Sequence, residues 1–128
     1  MTGTEQRFPA AIVDAAWRDG RIAFQVTADG TAIWPPRFAA PGSGDDLQWH
    51  ESAGLGVVYA ATALHSRDAE PRSIVIVHLD EGPRMMSRVE GVDARDVRIG
   101  MRVRVRFTEP DADGARLPVF EPLPDAAP

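Results

Sequence analysis

The sequence predicts a small, mainly β protein organised around a barrel between residues 54 and 107. Four short, largely apolar segments follow one another there. The last, residues 101–107, alternates apolar side chains with Arg, which is the period-two pattern of a half-buried strand. Eleven prolines and eleven glycines in 128 residues supply the turns that short-stranded β proteins need. At this length we expect one domain with a small appendage.

The composition excludes several classes of protein. Hydrophobic residues make up 44% and charged residues 26% of the chain, which indicates a folded rather than a disordered protein. The net charge of −5 argues against a general nucleic-acid-binding role. Because there is no cysteine, disulfides, thiolate metal sites and a Cys nucleophile are excluded. Without a long apolar run or a secretory signal, we expect a cytoplasmic protein that does not associate with membranes.

The N-terminal part is predicted to contain a helix and a hairpin. Apolar residues recur at helical spacing over residues 8–18, where Pro9 suits the first turn and Gly20 the position after the helix. Residues 21–34 alternate around a turn signal at 28–30, which is typical of a β-hairpin. A short strand at 47–51 leads into the barrel. The last residues, 122–128, are predicted to form a disordered tail.

The strand order of the barrel indicates its type. The five strands are predicted at 56–65, 73–79, 84–89, 101–107 and 117–121. A tight turn at 80–83 joins the second strand to the third, and Asp93 is predicted to cap one helical turn before the fourth. Three strands, a short helix and two further strands make up an OB-fold, a five-stranded Greek-key barrel. Pro118 places the fifth strand at an edge, because proline cannot donate to a ladder.

Five segments together support a resemblance to a known family. They are Trp34-Pro35-Pro36-Arg37, Leu47-Gln48-Trp49 and the runs at 52–59, 77–84 and 97–103. In this order and spacing the chain resembles the zinc-ribbon and OB-fold family of acyl-CoA-associated proteins, long catalogued as a domain of unknown function. The likeness runs from about residue 8 to residue 120. It implies a rubredoxin-like ribbon over residues 1–50 and an OB-fold barrel over residues 51–121.

The same resemblance implies a ribbon that has lost its metal. Members of the family carry two Cys-x-x-Cys knuckles around the Pro-Pro-Arg segment. Here the first knuckle falls on residues 26–29 and the second near residues 40–42, and neither supplies the Cys or His ligands of a structural zinc site. We therefore expect this degenerate ribbon to fold by packing against the barrel or a partner. The packing side chains would be Phe24, Ile33, Trp34 and Phe38.

The function implied by the resemblance is that of a non-catalytic accessory subunit. Such a subunit binds a thiolase-like acyl-CoA enzyme, or an aldolase or hydratase, and supports the binding or channelling of a CoA thioester. The nucleophile and the base belong to the larger partner, so we expect no activity from this chain on its own. We also expect it to bind no cofactor of its own, with the CoA thioester as a shared ligand.

Nine residues are candidates for binding the partner or a ligand: Trp34, Arg37, Phe38, Trp49, Arg84, Arg88, Arg102, Arg104 and Arg106. The arginines could form an anion-binding face for CoA phosphates or an acidic partner, or a solvated outer face paired with nearby carboxylates. The aromatic residues, together with Trp17, could pack on the chain's own barrel or form a docking surface.

No set of residues points to catalysis. His50, His65 and His78 lie on separate predicted strands, so a structural role is favoured over zinc binding or general-base catalysis. Asp80 and Glu81 precede Gly-Pro, as expected of a turn. The serines lack the nucleophile elbow of hydrolases.

Two other functions remain open at the level of sequence. A free-standing OB-fold could bind single-stranded nucleic acid or an oligosaccharide, although Tyr59 and Phe107 are the only aromatic residues on the four main strands. An independent hydrolase or lyase of small thioesters is the third alternative, and it lacks a visible nucleophile–base pair.

Overall fold

A computed structural model describes residues 8–124 of the chain. They form one α-helix, one 3₁₀ turn and eight β-strands in two antiparallel sheets. The predictions for residues 1–7 and 125–128 lie outside the described residues. Between residues 8 and 124, no helix is long and apolar enough to cross a membrane.

The N-terminal unit consists of the helix and a three-stranded sheet. Helix α1 (Pro9–Arg18) is followed by β1 (Ile22–Val26), β2 (Ala32–Ile33) and β3 (Gln48–Ser52), and the strands lie in the order β2-β1-β3. The expected hairpin is therefore confirmed. The strand predicted at 47–51 exists as β3, and it pairs with β1 along its whole length. Every residue of β1 is buried, since α1 packs on this strand.

The remaining five strands form the predicted barrel. They are β4 (Leu55–Ser66), β5 (Ala69–Leu79), β6 (Arg84–Ser87), β7 (Arg102–Phe107) and β8 (Pro118–Pro122). Their order is β6-β5-β4-β7-β8, with a 3₁₀ turn (Ala94–Asp96) before β7. Val89, two residues after β6, meets Phe120 of β8 in a parallel bridge, and the two outer strands form no full ladder with each other. This is the strand order of an OB-fold, and the predicted fold class is confirmed.

Several strand boundaries differ from the sequence-based expectation. The β4–β5 hairpin is longer at its tip because its pairing continues to Ser66 and Ala69 through a register shift. Pro71 falls in this irregular region, where a missing N–H does not interrupt the ladder. Strand β6 ends at Ser87, and the chain then turns to bridge Phe120. The predicted start of the tail at residue 122 was wrong, since β8 includes Pro122.

One hydrophobic core joins the N-terminal unit to the barrel. Fully buried barrel residues, including Val77, Val103 and Phe120, form a cluster with Ile22 of β1. Trp17 of α1 and Trp34, just after β2, pack against this cluster. The helix and ribbon are therefore fixed to the barrel through shared apolar packing.

The Gly54-Leu55-Gly56 segment allows β4 to lie close to both neighbouring strands. A Cβ on Gly56 would lie 2.6 Å from the backbone oxygen of His78 on β5, closer than carbon and oxygen can approach. Gly54 has φ +82°, and its carbonyl accepts a 2.7 Å hydrogen bond from the Val105 N–H of β7. Both positions therefore require glycine for the barrel to form.

Candidate binding surfaces

The arginine row on β7 is an ion-paired outer face. Arg102 donates to both carboxylate oxygens of Asp80, at 2.8 and 3.1 Å, and Arg104 lies 3.0 Å from the carboxylate of Glu121. The other pairs on this side are Arg106 with Glu90 and Glu121, and Arg88 with Glu90. Of the two interpretations of these arginines, the structure favours the face neutralised by nearby carboxylates.

These pairs also change the acidity of the carboxyl groups. The hydrogen bond from Arg102 lowers the pKa of Asp80, against a smaller opposing effect of burial. For Glu90, partial burial raises the pKa, but the hydrogen bonds and charges of Arg88 and Arg106 together leave it below its usual range. Both groups are therefore charged at neutral pH, which leaves few free guanidinium donors for an added anion.

The tryptophans divide between the core and the surface. Trp17 and Trp34 pack against the barrel core, as the interpretation of packing on the chain's own barrel requires. Trp49 on β3 is half-buried. Phe38 was expected to pack on the barrel or on a partner, and the barrel is not the surface it uses: its side chain is 74% exposed, and its ring meets the Phe8 ring edge-on with 6.3 Å between the ring centres.

The loop that carries Phe38 is held in place through its backbone, without burial of the Phe38 side chain. The buried Gln25 amide donates to the Arg37 carbonyl at 2.6 Å and accepts from the Arg37 N–H at 2.7 Å. The Arg37 side chain therefore stays exposed beside Phe38 and Trp49 in a shallow depression. We refer to Phe8, Arg37, Phe38 and Trp49 as the ribbon patch.

The residues at the two knuckle positions do not fit zinc. Asp29 is the only side chain there with a ligating group, and it is already hydrogen bonded to Thr27 and to the Thr31 N–H. Among residues 8–124, no group of three or more His, Asp or Glu side chains is placed to hold a metal ion. The Gln25–Arg37 hydrogen bonds join β1, which ends at the first knuckle position, to the loop that leads to the second.

A second surface, the apolar face, lies on the outward side of β4, β5 and β6. The register places Met86 opposite Ile76, and Ile76 opposite Ala60. Ile74 lies two residues from Ile76 and so shares its face, while the intervening Val75 points into the core. Met86 is 72% exposed and Leu64 is 57% exposed. We define the apolar face as Tyr59, Leu64, Ile74, Ile76 and Met86.

The apolar face continues into a groove beside β6 and β8. The groove has a volume of about 520 Å³. Leu64, Met86 and the half-exposed Leu117 of the barrel line it together with Trp17 and Trp34 of the N-terminal unit. The outer surface of the barrel is therefore apolar on the β4–β5–β6 side and ion-paired on the β7–β8 side.

Two arginines flank the apolar face. The Arg84 guanidinium lies 4.0 Å from the centre of the Tyr59 ring, and His78 meets the same ring edge-on at 6.4 Å. Arg72 lies opposite Leu64 at the other end. Within residues 8–124, neither arginine has a carboxylate oxygen within 4.0 Å.

The residues considered for catalysis have structural roles. The Ser73 hydroxyl is buried and bonded to the backbone of Val89, and the Ser52 hydroxyl donates to Glu81 in the turn after β5. His50 packs edge-on against Phe24, and His65 is exposed near the hairpin tip. The structure does not bring these groups together.

Sequence reasoning missed the apolar face, apart from Arg84 at its edge. The available signal was the run Ile74-Val75-Ile76-Val77, which is apolar at every position. In an antiparallel strand with one solvated face, polar residues should alternate with apolar ones. An unbroken apolar run is therefore typical of a strand whose two faces are both shielded from water.

Comparisons with known proteins agree with this fold. A family profile described as "ChsH2, C-terminal OB-fold domain" matches residues 49–108. A protein of Thermomonospora curvata named "Probable enoyl-CoA hydratase alpha subunit" is 32% identical over 93 residues. That match covers 69% of this chain but only 29% of the relative, so the chain spans less than a third of that protein.

A solved structure is similar over nearly its whole length. A chain of the "Ltp2-ChsH2(DUF35) aldolase" superposes with a TM-score of 0.77 at 30% sequence identity. The match covers 89% of this chain and 94% of that chain. On the strength of this nearly full-length match and of the family profile, the chain belongs to the DUF35 family of OB-fold proteins.

Proposed function

We propose that this protein is a non-catalytic accessory subunit that binds an acyl-CoA enzyme. The observation that carries the proposal is the similarity, over almost the full length, to a chain of the Ltp2-ChsH2(DUF35) aldolase. The name of the second relative, an enoyl-CoA hydratase alpha subunit, points to the same class of chemistry. The partner would be a thiolase-like enzyme, an aldolase or a hydratase.

The surface of the chain supports a binding role. Met86 and Leu64 of the apolar face are each more than half exposed, and contiguous exposed apolar residues commonly mark protein interfaces. The titratable groups near them do not form a nucleophile–base pair in the described part of the chain. We therefore assign the chemical step to the partner, and to this subunit the support of CoA-thioester binding.

Co-expression tests the proposal. The tagged chain is produced with each acyl-CoA enzyme encoded beside its gene, and the purified material is examined by size-exclusion chromatography with light scattering. We expect one of these enzymes to elute with the chain in fixed stoichiometry. Failure of every thiolase-like, aldolase-like and hydratase-like neighbour to co-purify would contradict the proposal.

The nucleic-acid alternative has less support from the surface. Single-strand binding by OB-folds uses several stacking aromatics in a basic groove. Of the aromatic residues on the barrel strands, only Tyr59 is exposed, and the Arg84 guanidinium already lies over its ring. Phe107 is half-buried near Arg116. A salt-dependent shift of a single-stranded oligonucleotide by the purified chain would favour this alternative.

A further inference from the structure

We propose that the apolar face is the surface that binds the partner subunit, and that the partner covers it with an apolar segment flanked by Asp or Glu. This inference rests on the proposed function, because it requires an acyl-CoA enzyme as the partner. It goes further by selecting one side of the barrel and by stating the chemistry of the segment that meets it.

The apolar side chains of this face are neighbours on three adjacent strands. Single exposed apolar side chains are common on proteins, but here the strand register places Ile76 between Ala60 and Met86 in one row, with Ile74 and Leu64 beyond it. The most exposed of these, Met86, is also the most adaptable in shape, which suits a contact with another surface. The register also places the polar Thr62 opposite Ile74, but Leu64, Ile74 and Met86 line one groove, and clustered exposed apolar residues of this kind indicate an interface.

The arginines on the two sides of the barrel differ in their partners. Arg102, Arg104 and Arg106 each lie within 4.0 Å of a carboxylate. Arg72 and Arg84, at the ends of the apolar face, have no such neighbour among residues 8–124. Their guanidinium groups can each donate two parallel hydrogen bonds to a carboxylate of another chain.

Arg84 is held in position before a partner binds. Its guanidinium carbon lies 4.0 Å from the centre of the Tyr59 ring, a cation–π contact that restricts the side chain before a partner binds. Less side-chain freedom is then lost when a carboxylate binds. The groove lined by Leu64, Met86 and Leu117 offers a recess for an apolar side chain, the usual position of an interface hot spot.

Substitution of the exposed apolar residues tests the location. We expect Met86→Glu and Leu64→Glu each to weaken binding to the acyl-CoA enzyme captured by co-expression at least tenfold, measured by isothermal titration calorimetry. Phe38→Glu makes the same change on the ribbon patch and should leave the dissociation constant within threefold. Circular dichroism and thermal unfolding establish that each variant is folded. Loss of binding with Phe38→Glu but not with Met86→Glu would overturn the inference.

Charge reversal tests the chemistry of the partner segment. Arg72→Glu and Arg84→Glu should weaken binding tenfold or more, and increasing the salt concentration should weaken wild-type binding more than that of either variant. Arg37→Glu is the matched control on the ribbon patch, since the Arg37 side chain is also exposed. Equal effects of the reversals at positions 37, 72 and 84 would contradict the stated chemistry.

Photo-cross-linking locates the contact without adding a charge. p-Benzoylphenylalanine at position 86 should cross-link to the captured enzyme, and the linked peptide should contain apolar residues with Asp or Glu within a few positions. Cross-linking from position 38 and not from position 86 would overturn the inference while leaving the proposed function intact. If no acyl-CoA enzyme binds the wild-type chain, the proposed function fails, and this inference fails with it.

Discussion

Gln25 joins two parts of the ribbon through one buried side chain. Its buried amide bonds to both backbone groups of Arg37, and this ties β1 to the loop after β2. Sequence gave no sign of this contact, because the partner is a backbone group twelve residues away. The lack of cysteine in the ribbon could be read from the sequence, whereas the Gln25–Arg37 contact could not.

Replacing Gln25 should therefore loosen the ribbon. Gln25→Ala leaves the Arg37 N–H and carbonyl without their partners, and we expect a loss of about 1–3 kcal/mol in the free energy of unfolding. Urea denaturation measures this loss, and hydrogen exchange should show faster exchange around Arg37. Gln48→Ala, at an exposed position of β3, is the control and should change stability by less than about 0.5 kcal/mol. Equal stability of the two variants would contradict the role of Gln25.

Gly56 offers a second test at the residue scale. In Gly56→Ala the new methyl group would overlap the His78 carbonyl and the Val77 side chain, so β4 and β5 must separate. We expect a destabilisation of at least about 2 kcal/mol, as for overpacking of a tight core. Thermal unfolding measures it, with Thr62→Ala, exposed on the same strand, as the control. A Gly56→Ala protein as stable as wild type would show that the strands are less closely packed.

At the scale of elements, the regular patterns were predictable, whereas the ion pairs between residues distant in the sequence were not. The alternation in β7, Asp93 as the cap of the 3₁₀ turn and Pro118 at an outer strand all follow from local rules. The pairing of the β7 arginines does not, because Asp80 and Glu121 approach them only in the folded barrel.

If β7 and β8 form an ion-paired face, Arg104 should matter little for partner binding. Arg104→Gln removes one exposed pair with Glu121, and such pairs contribute about 0–1 kcal/mol. We expect a change in stability within this range and an unchanged affinity for the acyl-CoA enzyme. Calorimetric titration of the enzyme with this variant measures the affinity. A tenfold loss of affinity would return the β7 arginines to the role of an anion-binding face.

At the scale of the whole molecule, the ion-paired and the apolar surfaces lie on different sides of the barrel. Acid should lower the stability of the fold through the carboxyl groups whose pKa values are lowered. The pKa values of Asp80 and Glu90 are lowered, and the hydrogen bonds from the Arg95 side chain and backbone lower that of Asp93 to about 2. A lowered pKa in the folded state means that the unfolded chain takes up protons first as the pH falls. Stability should therefore be constant above about pH 5 and fall between about pH 4.5 and pH 2.

Urea midpoints measured from pH 7 to pH 2 test this expectation. Asp80→Asn removes one of the lowered carboxyl groups, so its loss of stability on acidification should be smaller than that of the wild type. A stability that rises as the pH falls below 4.5 would contradict the assigned ion pairs.

The central claim is that this DUF35 chain acts by binding and leaves the chemistry to an acyl-CoA enzyme. The most direct test is reconstitution from separately purified subunits, with turnover of an acyl-CoA thioester measured for each subunit alone and for the mixture. We expect no turnover by this chain alone, a complex of fixed stoichiometry, and higher activity of the enzyme when the chain is added. Turnover by the isolated chain, or an enzyme that neither binds it nor responds to it, would contradict the account.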